Sequence, residues 1–396
     1  MPKNTSMPRK CSNDEWRVSV THSLSEIPAE AWDALSHDSY PFTQHSFLYG
    51  LELHDCLEPF GWHPVYFQIH RESDLVAAIP CYIKTNSYGE LVFDHAWVNA
   101  YHRSGLDYYP KLVTAIPYTP ATGPRFLLNF GQIEEGEVQQ SLRELLCIAI
   151  QKFCNDNKLS SWHLLFANQE TLDSVSEHDL ELRCDVQFHW QNRAYRSFDD
   201  FLAQLSSRKR KNIRKERRDI DPDLELTMQP GGELSADDWR RVFGLYASIY
   251  QRKYGTATLT ENFFAYLGET MPQQVLVAAA RQSNEMVAAS LFFRSDTHLY
   301  GRVWGCDHYY HNLHFECCYY QGIDYCIHEG LECFDPGAQG EHKLARGFLP
   351  TLTWSGHWVA HPQFREAINQ FLHQERAYIR QYQEELMKHS PFRRTE

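Results

Sequence analysis

Apolar positions along the chain follow two periods. Spacing of three and four residues runs through "IPAEAWDALS" and "TQHSFLYGLELHDCL", which predicts two helices. Apolar runs of strand length follow in "HPVYFQIHR" and "LVAAIPCYIKT", parted by "ESD", which reads as a hairpin. Beyond an aromatic region rich in Gly and Pro, from Tyr88 to Pro124, come strand-like "RFLLNFG", the helical "EVQQSLRELLCIAIQKFCNDN" and strand-like "SWHLLFA". The second half repeats this order. Two helices ("SADDWRRVFGLYASIYQRKYG", "TENFFAYLGETM") precede a hairpin ("QVLVAAARQ", "EMVAASLFFRS" over "SN"), a strand ("HLYGRVWG"), a helix ("FECCYYQGIDYCIHEG") and a strand ("LECFDPG"). Even residues echo, "LVAA" at Leu75–Ala78 answering "MVAA" at Met286–Ala289.

Repeated element order points to a duplication. Helices mixed with hairpins and a single crossover predict an α/β (α+β) architecture of mostly antiparallel, mixed sheets flanked by helices. With 396 residues, two units are expected. Their boundaries are placed at 14–192 and 193–396, the second unit ending in a helix.

Charge changes the picture at one place. The chain has a formal net charge of −13 and a pI near 5.9, which argues against a protein that coats nucleic acid over its whole surface. Yet Arg208 to Arg218 holds eight Lys/Arg against the single Glu216. A helix capped by Ser197 and Asp200 is expected here, with Leu202, Leu205, Ile213 and Ile220 on an anchoring stripe. Arg208, Lys211, Lys215 and Arg218 share another face, flanked by Lys209 and Arg214. A solvated surface usually interleaves both signs, so this face is read as a binding surface for an anion: a nucleotide, CoA or tRNA phosphate. A solvated helix and an import signal are the bland alternatives.

Candidate chemistry gathers in "FDPGAQGEHK", where a Gly-rich turn leaves a strand and precedes three proton-handling side chains. Acyl transfer to an amine needs a base, oxyanion stabilisation and a proton for the leaving group. Glu341 or His342 suits the first role and Lys343 the second, against an ordinary solvated turn. His308, His311 and His314 recur near Cys306, but no zinc-type spacing appears, so no metal is expected. His314, Glu316 and Tyr319, at the start of the following helix, either face an acceptor or cap that helix. In the aromatic region, His102, Arg103, Asp107 and Tyr109 form a binding loop or a cover for the sheet edge. No Ser/His/Asp or Cys/His pattern marks a covalent nucleophile. Eleven cysteines without paired spacing, no export signal and no span-length apolar run lead to the expectation of a soluble, cytoplasmic protein. The pattern specifies no oligomeric state.

"LSSRKRKNIRKERR" resembles the motif that opens the second half of Fem-type transferases, tandem-GNAT enzymes that move an amino acid from aminoacyl-tRNA to a peptidoglycan precursor. "GELVFDHAWVNAYHRSGLDYYPKL", "FHWQNRAYRSFDDFLAQLSSRKRKNIRKERR", "LHFECCYYQGIDYCIHEGL" and "GAQGEHKLARGFLP" resemble the branch labelled peptidoglycan biosynthesis or recognition proteins, or predicted N-acyltransferases. The resemblance spans about Trp16 to Lys388. It implies two tandem GNAT-like domains and an N-acyltransferase or aminoacyltransferase, with acyl-CoA or aminoacyl-tRNA as anionic donor and a small amine as acceptor. Glu341, His342, Lys343, Glu316 and His314 would then be the reacting groups. Arg302, Tyr319, Arg346, His102, Arg103, Tyr109 and the basic face would bind substrate. Two features depart from the pattern: no long helical arm for tRNA follows Arg218, and "RVWGCD", Arg302 to Asp307, completes only part of the GNAT pyrophosphate signature. The alternative is a non-catalytic protein of this fold that binds a nucleotide, a cell-wall fragment or RNA.

Overall fold

The computed structural model describes residues 16–393 apart from 37–38, 134–135, 176–177, 253–254 and 339. The polar segment 1–13, expected to be loose, lies outside them. The first half runs β1 (Trp16–Thr21), α1 (Ala29–Asp33), α2 (His45–Leu53), β2 (Trp62–Arg71), β3 (Asp74–Lys84), α3 (His95–Arg103), β4 (Lys111–Thr114), β5 (Leu127–Leu128), α4 (Glu137–Asp156), β6 (Ser161–Leu165), α5 (Gln169–Val175) and β7 (Glu181–Gln191). The second half opens with α6 (Phe198–Gln204), α7 (Ser207–Arg218), β8 (Leu224–Pro230), α8 (Ala236–Arg252), α9 (Glu261–Thr270), β9 (Val275–Gln282), β10 (Glu285–Arg294) and β11 (His298–Cys306). It continues through α10 (Leu313–Phe315), a π turn (Glu316–Tyr320), α11 (Gln321–Glu329), β12 (Cys333–Asp335), a 3-10 turn (Glu341–Arg346), β13 (Leu349–Val359) and α12 (Pro362–Lys388).

Both expected hairpins form. Residues Glu72 and Ser73 turn β2 into β3 with Glu72 at φ 56°. Ser283 and Asn284, at φ 52° and 68°, turn β9 into β10, matching the right-handed strand twist as primed turns do. Five strands have no counterpart in the apolar pattern: β1, β4, β7, β8 and β13. "RFLLNFG" contributes only the two residues of β5.

One sheet runs through the molecule in the order β1-β2-β3-β4-β6-β13-β7-β12-β11-β10-β9-β8. Its two ends repeat each other: β1-β2-β3-β4-β6 in the first half matches β8-β9-β10-β11-β12 in the second. The echo of Leu75–Ala78 in Met286–Ala289 falls on the equivalent strands β3 and β10. The last strand of each half is exchanged. β13 pairs with β6 of the first half, β7 pairs with β12 of the second, and the two exchanged strands pair with each other at the centre. Pairing is antiparallel except at β4·β6 and β11·β12, the two places where a helix crosses over.

The basic segment is two helices. α6 begins at the Ser197 cap, whose hydroxyl accepts from the Asp200 amide at 3.1 Å, and ends at Leu205, which is tied to Phe392 in an isolated bridge. The single helical stripe through Leu202, Leu205, Ile213 and Ile220 is therefore broken. Leu202 and Leu205 bury with α6, and Ile213 alone is buried on α7. One aromatic core joins the halves: Phe42 and Phe47 meet Phe293 at 5.0 and 5.5 Å between ring centres. At Gly50 of α2 a Cβ would stand 2.7 Å from the Tyr266 ring of α9, so the helices approach there only because the side chain is missing. No helix among the described residues is long and apolar enough to cross a membrane.

Candidate functional site

β11 and β12 pair only over His298–Tyr300 and Cys333–Asp335. Beyond that they part, and a cavity of about 1110 Å³ opens between them. β11 supplies Gly301 to Trp304, the following helix supplies His314, Cys318 and Tyr319, and the segment after β12 supplies Pro336 to Ala338, Gly340, His342 and Lys343. The opposite wall comes from the first half, through the segment from Ser87 to His95 with Tyr109, Tyr118 and Pro120. The matching gap between β4 and β6 is filled by the chain itself. Gly123 bridges Ala167, and the fully buried Arg125 donates to the carbonyls of Leu165, Pro124 and Ala121 at 3.0, 3.0 and 2.9 Å. Of the two equivalent gaps, the one in the second half stays open.

Local sequence shapes the wall. The π turn widens the helix by one residue at Glu316–Tyr320, a distortion often found at functional sites, and Cys318 and Tyr319 line the cavity from it. Gly340, at φ 107°, has no room for a Cβ, which would lie 2.6 Å from the His342 ring. The turn thereby seats His342 with its Nε2 2.9 Å from the Tyr319 hydroxyl. His314 packs against Trp304, Tyr319 and His342. Burial, followed by the neighbouring His342, Arg346 and Lys343, brings its pKa down to about 4. The same factors, burial first and then Arg346 and Lys343, lower that of His342. Both imidazoles are neutral at pH 7.

Lys343 lines the cavity, but its ammonium donates to the Gly337, Ala338 and Pro336 carbonyls at 2.6, 3.3 and 3.4 Å. Its three protons are thus spent on the Gly turn. Burial lowers its pKa to about 8, with Asp335 opposing. In this geometry the ammonium braces the turn that forms the wall.

Glu316 and Arg346 stand behind the wall instead of facing the cavity. Glu316 accepts from Arg217 at 2.9 and 3.1 Å and from Gln321 at 2.8 Å. Arg346 forms a two-pronged bond to Glu216 at 2.9 and 3.2 Å. Glu216 also accepts from the Tyr320 hydroxyl, so the lone acid of the basic run is an anchor. Glu341 points away and accepts from Tyr382 of α12 at 2.6 Å. His102 and Arg103 are exposed on the last turn of α3 and do not line the cavity, whereas Tyr109 does, bonded to Ser87. Arg208, Lys211, Lys215, Arg214 and Arg218 are exposed on α7 and Lys209 is half-buried. Arg214 pairs with Asp199 and Arg218 with Asp219. Sequence reading missed Arg217, whose only signal was its place in the basic run, and the aromatic lining of Tyr88, Phe93, Tyr118 and Tyr250.

"RVWGCD" lies mostly along β11 rather than in a turn entering a helix. A Cβ at Gly305 would stand 2.4 Å from the Leu245 backbone of α8. That glycine serves packing and not a pyrophosphate. Among the described residues no group of three or more His, Cys, Asp or Glu is placed to hold a metal ion.

Residues 23–394 match the sequence model of a FemAB-like family, described as peptidoglycan biosynthesis/recognition. No curated protein sequence matches the chain. The crystal structure of FemX is similar over 90% of this chain and 99% of its own, with a TM-score of 0.52 and 9% identity. A tandem GNAT protein from the clavulanic acid biosynthesis pathway aligns over 88% of this chain and 99% of its own, with TM-score 0.40 and 10% identity. L-PGS from Bacillus licheniformis does so over 85% and 98%, with TM-score 0.42 and 9% identity.

Proposed function

Because the chain belongs to the FemAB-like family of peptidoglycan biosynthesis and recognition, we propose that it is an acyl or aminoacyl transferase acting on an amine of a cell-wall precursor. The observation that carries this reading is the Tyr319–His342 hydrogen bond on the wall of the cavity between β11 and β12. The amine nitrogen attacks the carbonyl carbon of an activated ester or thioester, forming the C–N bond. Tyr319 takes the proton the nitrogen loses while its own hydroxyl proton passes to the neutral His342. As the C–O or C–S bond breaks, its electron pair leaves on oxygen or sulfur, and the reverse shift through Tyr319 protonates it. The exposed cations of α7 hold the anionic portion of the donor, which is either acyl-CoA or aminoacyl-tRNA, and both donors place the reaction in the cytoplasm.

Purified protein is incubated separately with acetyl-CoA and with aminoacyl-tRNA, each with an amine-bearing precursor, and the products are read by mass. Transfer that disappears in Tyr319→Phe supports the reading. Retention of a precursor without transfer from either donor supports a binding protein of the same fold instead.

A further inference from the structure

The chain carries 51 Asp and Glu against 38 Lys and Arg, yet no Asp or Glu occurs among the described residues that line the cavity. Two cations do, Lys343 and Arg302. Buried cations elsewhere are either paired or fully engaged. Lys111 sits between Glu90 and Asp94, and Arg346 holds Glu216. Arg125 spreads Nε, Nη1 and Nη2 over three carbonyls, and Lys343 does the same with its ammonium.

Arg302 differs from all of these. Both its hydrogen bonds leave from Nη2, to the Tyr118 carbonyl and to Thr119 Oγ1 at 3.2 Å. Among the described residues Nε and Nη1 have no acceptor, and no carboxylate lies within ion-pair distance. The nearest acid to influence it, Asp335, accepts from the Gly337 amide at 2.8 Å and faces His189 at 3.7 Å. A guanidinium carries five donors in a fixed fork that suits carboxylate and phosphate, and Arg302 is half-buried on the cavity wall. Burial, opposed first by Asp335, brings its pKa to about 10, so it remains charged at pH 7.

We propose that Arg302 is an anion anchor inside the cavity: the molecule that reacts there carries a carboxylate or phosphate oxyanion, which Arg302 holds while the rest lies along the aromatic wall toward Tyr319. This deepens the transferase reading by naming the substrate class, and it rests on the cavity being the substrate site. It does not depend on transfer taking place, so binding tests it separately.

Binding is measured by Trp fluorescence and thermal shift in a low-chloride buffer, with inorganic phosphate, N-acetylalanine and N-acetylalaninamide as probes. The parent should saturate with one of the two anions and not with the neutral amide. Phosphate binding identifies a phosphorylated substrate, and N-acetylalanine binding a carboxylate. Arg302→Met should weaken that anion at least tenfold, while Arg302→Lys keeps part of it. Thr119→Val loses a hydrogen bond between the halves but keeps the charge, and should bind as the parent does. Equal anion affinity in Arg302→Met and the parent, loss of binding in Thr119→Val to the same degree as in Arg302→Met, or a parent that binds none of the probes, would overturn the proposal.

Discussion

The Tyr319 hydroxyl lies 2.9 Å from His342 Nε2, one side chain carried by a π turn and the other by a 3-10 turn. The two are 23 positions apart, yet they meet on a single wall. Removing either should lower the transfer rate on the order of 10²- to 10⁴-fold, as loss of acid–base catalysis does, without a change in melting temperature larger than a few degrees. His342 is held below its ordinary pKa, and its neutral form is the active one. The rate should therefore rise with pH at acidic values and be level by pH 7. A rate still climbing between pH 7 and 8 would assign the proton step to another group.

Glu316 separates structure from catalysis. Its carboxylate is buried against Arg217, which is itself 27% exposed. Breaking a fully buried pair costs about 3–5 kcal/mol, and the solvent reaching Arg217 should reduce this to roughly 2–3 kcal/mol for Glu316→Gln. Urea unfolding checks the loss. Activity per folded molecule should stay within a few-fold of the parent, whereas a general base would lose a hundredfold or more.

The α7 cations predict a salt signature. Cations in the first turn of a helix oppose its dipole, and Arg208 and Lys209 stand there with no acid among them, so local stability does not account for their placement. If three exposed cations contact single-stranded nucleic acid, the slope of log affinity against log salt should be roughly −2, from about −0.7 per contact. Arg208→Glu, Lys211→Glu, Lys215→Glu should remove binding and leave the circular dichroism spectrum unchanged. A slope near zero points to CoA as donor, because a compact ligand lacks the extended counterion atmosphere.

Lys111 is fully buried between Glu90, at 2.7 Å, and Asp94. Burial opposes the charge on Asp94, but Lys111 and His163 outweigh it and hold this carboxyl well below its usual range. A lowered folded pKa means that the contribution to stability is complete above the unfolded value of about 3.9 and is lost as pH falls through the folded one. Glu90 already stands at about 7 in the parent through burial, and in Lys111→Met the sign reverses for Asp94 as well. Two buried carboxyls without a cation titrate above their unfolded values, so stability should drop as pH rises from about 4 to 7. Urea midpoints between pH 3 and 8 distinguish the two profiles.

The proposed division into 14–192 and 193–396 makes a prediction of its own. Each segment lacks the strand that closes its sheet, so each expressed alone should aggregate or stay partly folded. Co-expressed, they should copurify as a native pair. Either segment folding alone into a monomeric unit would move the boundary.

Much of the sheet was legible because hairpin strands such as β9 and β10 are nearly continuous apolar runs that announce burial on both faces. β7 and β13 were not. Arg183 and Asp185 interrupt the first, and Pro350, Ser355 and Gly356 the second. Both are buried by partners from the opposite half, and no local window contains those partners. At the site, the Gly turn and His342 could be read from adjacent residues. Glu316 was read as a reacting group because its true partner, Arg217, lies 99 positions earlier. Tyr319 was singled out at a helix start and Arg302 through the resemblance, but the hydrogen bond of the first and the lack of an ion-paired acid beside the second exist only in three dimensions.

The exchanged strands also order events at the ribosome. β6 ends at Leu165, and the strand that covers its edge begins at Leu349. At about 5–20 residues per second, an emerging chain shows that bare edge for roughly 10–40 s before its partner is made. For that interval the newborn first half is a template for any other nascent chain, including its twin on the next ribosome of the same message. Slow stretches of translation late in the message would lengthen the hazard, and holding chaperones that cover strand edges would shorten it.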